Sequence, residues 1–284
     1  MHFNFHFTAE EILWTLTFAA MLVLLVVLLG RERVRRFPIF TSSIVLVGLN
    51  MLAEKLIANR FAPFISSRVF LVLGDLGVLI ALLLAIELAR RAFSGASRAA
   101  WIAGGVILLG GAVAVIAFWG AWPPSAVVFD PSIAGRLGLM RLIAQKGGLF
   151  KEVLSVELFA LVVIAGRRFN TGWRSHTLQI LIGISTNSIM LIVERAIWET
   201  MARNAPRTQD GYNHMVNLQT HLINAYSAVV LAVMFWWIVC LWIDEPGAAR
   251  AHLPGEDGVN DPAAVETLDK WIAKPAESDN EPGA

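Results

Sequence analysis

The sequence predicts an all-α membrane protein: a seven-transmembrane-helix bundle followed by a disordered acidic tail. Three observations predict it. The 284-residue chain is 56% hydrophobic and only 16% charged, with a mean hydropathy of +0.62, whereas soluble domains carry about 25% charged residues. Seven stretches reach the roughly 20 apolar residues that a bilayer-crossing helix needs. Tryptophans stand where apolar runs end, at Trp101, Trp119, Trp122, Trp198 and Trp242, as in the aromatic belts of membrane–water interfaces.

The stretches cover 11–30, 39–58, 69–89, 100–120, 149–166, 177–197 and 220–243. The first follows Glu10 and Glu11 rather than a basic leader and has no small-residue cleavage site, so it is expected to be an anchor and not a signal peptide. In the third, Glu87 stands one turn before Arg91, the spacing of an i,i+4 ion pair. The fourth carries Gly104, Gly105, Gly110 and Gly111, which permit close helix contact. Between the fourth and fifth, "DPSIAGRLGLMRLIAQKGG" suggests an interfacial helix, capped by Asp130 or Ser132 and ending at Gly147 and Gly148. The polar segment 199–220 is long enough for a lid. Domain organisation follows: 1–245 form the bundle and 246–284 the tail. From Asp244 onward ten acidic residues face only Arg250, Lys270 and Lys274, a composition unable to bury enough apolar surface to order itself.

Three turns are dense in arginine: "RERVRRF", "RRAFSGASR" and "RRFNTGWRS". Lys and Arg totals on the two sides are equal, so density decides, together with the absence of Lys and Arg before the first stretch. The expected location is the plasma (inner) membrane, multi-pass, with the N-terminus outside and the C-terminus cytoplasmic. The bilayer is the expected partner, with a cytoplasmic protein possible at the basic turns or the tail. A net charge of +1 gives no case for nucleic acid. The single cysteine, Cys240, excludes an intrachain disulfide.

Polar residues inside spans concentrate in the half of the bundle away from those turns. They are Asn50 and Glu54 on the second stretch, Asp75 on the third, Glu157 on the fifth, Asn187 and Glu194 on the sixth, and His221 and Asn224 in a polar stripe on the seventh. Glu152 is about 140° around the helix from Glu157, so the two cannot share a face. Ionisable groups in spans are functional candidates by default. Two readings stand: a ligand or ion pocket in the outer half, with Glu157 and Asp75 as its deepest acids, or a structural polar network in which Glu54 or Glu194 pairs with Lys55 or Arg195.

The seventh stretch has no lysine for a retinal Schiff base. His176 and His221 begin at opposite ends and cannot pair across a haem. Neither H-E-x-x-H nor G-x-S-G occurs. No enzyme activity, metal or cofactor is expected. The placement of "RRFPIF", of an acid within "LGDLGVLIALLLAIELARRAF", and of "GWRSHTLQILIGIS" resembles a family of uncharacterised bacterial, acidobacterial-type seven-helix integral membrane proteins. The resemblance implies the architecture and no activity. The expected function is a sensor or receptor-like bundle for a small polar or cationic ligand. A small ion- or proton-coupled transporter and an accessory subunit of a membrane complex are the alternatives.

Overall fold

The computed structural model describes residues 8–57, 60, 63–94, 96–120, 122, 130–165, 175–203 and 208–244. These are helical throughout: α1 (Ala9–Gly30), the short α2 (Arg33–Arg36), α3 (Pro38–Ile57), α4 (Pro63–Ala92), α5 (Arg98–Phe118), α6 (Ile133–Ala165), α7 (His176–Arg203) and α8 (Gln209–Trp242). Six helices among the described residues are long and apolar enough to cross a membrane: Ala9–Gly30, Pro38–Ile57, Ile65–Ala92, Arg98–Phe118, His176–Met201 and Gln209–Trp242. The chain divides into Met1–Ile243 and Asp244–Ala284; the tail expected over 246–284 lies outside the described residues.

The fifth predicted span is the exception. It belongs to α6, which carries Lys146, Lys151, Glu152 and Glu157 around its middle, and it is not among the six. The interfacial helix expected before it is continuous with it, in one 33-residue element. Gly147 and Gly148 do not end that helix, and Gly147 sits where α6 approaches α4 closely. A Cβ on Gly147 would meet Val78 of α4 at 3.0 Å, and one on Gly148 would meet Arg195 of α7 at 3.7 Å. Likewise, most of the expected lid is helical: α7 continues to Arg203 and α8 starts at Gln209.

Local chemistry sets the ends. Thr8 and Glu11 form a capping box on α1. Ser97 and Thr208 cap α5 and α8 by accepting from Ala100 and Gly211. Ser132 accepts from Gly135 at the start of α6, and its own hydroxyl donates to Asp130 at 2.7 Å. Pro38 opens α3, where a missing N–H costs nothing.

Long helices close a ring. α1 packs on α8 and α3, α3 on α4, α4 on α6, α6 on α7, and α7 on α8. α5 lies outside the ring against α6. α6 therefore touches α4, α5 and α7, and Lys146 and Glu152 on it are buried among these neighbours.

Packing is unequal along the bundle. Leu24, Leu28, Phe37, Phe40, Leu88, Leu158, Leu181, Trp237 and Leu241 form the largest core at the end bearing the arginine turns. Phe40 and Trp237 meet there edge to face at 5.1 Å. His176 is buried at this end, with Nε2 at 2.9 Å from the Ile243 carbonyl. At mid-depth a smaller core holds Ala112, Leu149, Val153 and Leu154. Beyond it, towards the opposite end, α5, α6 and α7 border open clefts.

Candidate functional site

Two cavities occupy that opposite end, between α5, α6 and α7. One of about 430 Å³ is lined by Trp119, Gly120, Gln145, Lys146, Leu149, Arg195, Glu199 and Arg203. The other, about 630 Å³, shares Trp119, Gly120, Glu199 and Arg203 and extends along α5 through Val115 and Phe118.

The end of α5 builds the shared wall. Trp119 is its C-cap and Gly120 follows with φ +72°, the left-handed turn that glycine accommodates without a Cβ penalty. This turn directs two groups of Trp119. Its carbonyl accepts from Lys146 Nζ at 2.6 Å, and its indole Nε1 donates to Glu199 Oε1 at 2.7 Å. Lys146 is only 8% exposed and lies 4.6 Å from the centre of the Trp122 ring, a cation–π distance. An ammonium has three donors, and Trp119 O takes one. Arg195 Nη1 donates to the Gln145 carbonyl at 3.1 Å, and Arg203 approaches Glu199 at 3.7 Å. The smaller cavity thus carries Lys146, Arg195 and Arg203 against the single carboxylate of Glu199. Among the residues lining this open cavity the cations outnumber the carboxylate, which favours an anion at Lys146, although Glu152 and Glu194 stand near Arg195.

The structure distributes the residues expected from the sequence. Glu54 and His221 are exposed, while Asn50, Asp75, Glu157, Asn187, Glu194 and Asn224 are half-buried. None of these eight lines either cavity. The Glu157 carboxylate is directed at α5, against Gly111 and the backbone of Ala112. Among the described residues, Asp75 Oδ1, Glu157 Oε2 and Asn187 Oδ1 are buried without a hydrogen-bond partner. Glu194 stands with Arg195 and with Glu152, which is 5% exposed. Tyr226 of α8 is within electrostatic range of both acids. Glu152 and Glu157 therefore address different neighbours. Lys55 lies 5.2 Å from the Trp14 ring centre, and Arg195 binds a main-chain carbonyl.

Sequence reasoning missed Lys146 by leaving it at the end of an interfacial helix. The available signal was its position within "QKGGLFKE", where charges interrupt an apolar run without proline. At the other end, Glu87 does more than pair with Arg91 at 3.6 Å: its Oε2 also accepts from the Phe40 N–H at 3.2 Å, capping α3 from a different helix.

Among the described residues no group of three or more His, Cys, Asp or Glu side chains is placed to hold a metal. No known family model, characterised protein or solved structure matches the chain.

Proposed function

We propose that the chain is a receptor-like integral membrane bundle that binds a small anion, a carboxylate or phosphate compound, in the cavity around Lys146. The observation that carries this reading is a buried lysine at a cavity of about 430 Å³ that also holds two arginines and one glutamate. The ligand class follows this cavity and replaces the cationic ligand expected from Asp75 and Glu157, which lie elsewhere. Unequal packing supports the receptor assignment: a well-filled core at one end gives a rigid base, and the open end gives space to bind.

In this reading α6 is a seventh span, shielded by α4, α5 and α7, and the chain is kin to the acidobacterial-type seven-helix family it resembles. The arginine turns face the cytoplasm of a bacterial inner membrane. With the tail, they offer a signalling partner its contact surface. The protein binds and relays rather than catalyses.

Trp119 and Trp122 are built-in reporters, since both contact Lys146. Titration of the purified protein with succinate and with inorganic phosphate should give a saturable change in tryptophan fluorescence, lost in Lys146→Met. A flat wild-type response to both anions would count against the proposal. One observation favours a second reading, a proton-coupled carrier: buried carboxyl oxygens of Asp75, Glu152 and Glu157 lack hydrogen-bond partners among the described residues. Succinate uptake into proteoliposomes driven by a pH gradient would support the carrier over the receptor.

A further inference from the structure

α4 and α5 are consecutive and joined by a short turn, yet among the described residues they do not pack along each other. Each packs on α6 instead, which leaves a slot with α4 and α5 as walls and α6 as floor. The slot measures about 280 Å³. Its lining includes Ala89 and Phe93 of α4 and its turn, Ala100, Gly104 and Leu108 of α5, and Leu161 of α6, with no charged residue. It begins at the arginine-turn end, where Phe93 and Trp101 meet edge to face at 6.3 Å.

Length and volume narrow the occupant. From Ala100 to Leu108 the wall rises about 12 Å at 1.5 Å per residue, close to the roughly 15 Å of one hydrocarbon leaflet. A 12 Å length of helix about 10 Å across fills roughly 900 Å³, so the slot is too small for one. A single extended alkyl chain suits it. Charge identifies the rest of the molecule. Arg90 and Arg98 flank the mouth from the end of α4 and the start of α5, and both are exposed. Arg91, by contrast, is engaged with Glu87. Basic residues at this depth attract anionic headgroups.

We propose that this slot holds one acyl chain of an anionic phospholipid whose headgroup is bound by Arg90 and Arg98. The lipid completes the packing of α5, which otherwise holds to the bundle chiefly through α6. The site is separate from the Lys146 cavity and does not rest on the ligand proposed there.

The test uses full-length protein in vesicles containing phosphatidylglycerol or phosphatidylcholine with a photoreactive diazirine on the acyl chain. Phosphatidylglycerol should label the α5–α6 region at least threefold more than phosphatidylcholine. Arg90→Gln with Arg98→Gln should bring the two lipids level. Gly105 lines the slot, and a Cβ there meets nothing within 4 Å, so Gly105→Leu should fill the slot while the protein still folds, and labelling at Leu161 should fall to background. Equal labelling of wild type by both lipids, or unchanged labelling of Gly105→Leu, would each overturn the proposal.

Discussion

The indole of Trp119 donates to the carboxylate of Glu199 at 2.7 Å, and the two residues line both cavities at the open end of the bundle. This bond ties the end of α5 to α7, although α5 otherwise packs mainly on α6. The wall it makes depends on a turn that only a left-handed residue allows. Gly120→Ala keeps ordinary contacts, with Cβ 3.6 Å from both Glu199 Oε1 and Lys146 Nζ, but forces alanine to φ +72°. It should cost about 1 kcal/mol, measurable by chemical unfolding in detergent, and should weaken the fluorescence response to anions.

Glu87 and Arg91 predict an unequal pair of effects. Arg91→Gln removes the one-third-exposed partner of the buried Glu87 but leaves Glu87 its Phe40 N–H donor, and should cost about 1 kcal/mol. Glu87→Ala also removes the acceptor for the Phe40 N–H at the start of α3 and should cost about 2–3 kcal/mol. Equal losses in unfolding experiments would show that the cap contributes nothing.

Gly111 and Glu157 should be energetically coupled. A Cβ at Gly111 would collide with the Glu157 carboxylate, so Gly111→Ala must push that side chain aside or displace α5. In a Glu157→Ala background the added methyl group has room. A double-mutant cycle should return a coupling of about 1 kcal/mol. Additivity would place the carboxylate away from α5.

Asp130 predicts a pH dependence at the start of α6. Its carboxylate accepts from the Ser132 hydroxyl and backbone N–H, which holds its pKa below the ordinary 3.8. A depressed carboxylate contributes its stabilisation fully above the unfolded value and loses it as pH falls through the lower folded value. Amide-exchange protection of the first turn, from Ser132 to Arg136, should persist down to about pH 3.8 and fall below it. Asp130→Asn should abolish that dependence.

Much of the fold is legible in the sequence because apolar length is a one-dimensional property. Helical class and six helices long and apolar enough to cross a membrane follow from it, and the Glu87–Arg91 pair follows from i,i+4 spacing. Side-chain destinations are not one-dimensional. Glu157 was expected to meet Asp75 and the α8 stripe, but its direction depends on α5 lying outside the ring, which no local pattern encodes. Gly147 and Gly148 resemble a helix stop, yet the helix runs through both, and Gly147 packs closely on Val78 of α4. His221 stands exposed because α8 begins at Gln209, more than three turns before it. Lys146 is the instructive omission: a lysine before two glycines reads as the polar end of an interfacial helix until tertiary packing buries it.

The central claim is that Lys146 binds an anion at the open end. Its most direct test is the melting temperature of purified wild type and Lys146→Met in succinate or inorganic phosphate, against chloride at equal ionic strength. A ligand at ten times its Kd stabilises by about 1.4 kcal/mol, which at roughly 2–4 °C per kcal/mol predicts a rise of about 3–6 °C for wild type in at least one anion. Lys146→Met should show none. A rise of the same size in Lys146→Met, or no rise in wild type with either anion, would contradict the account.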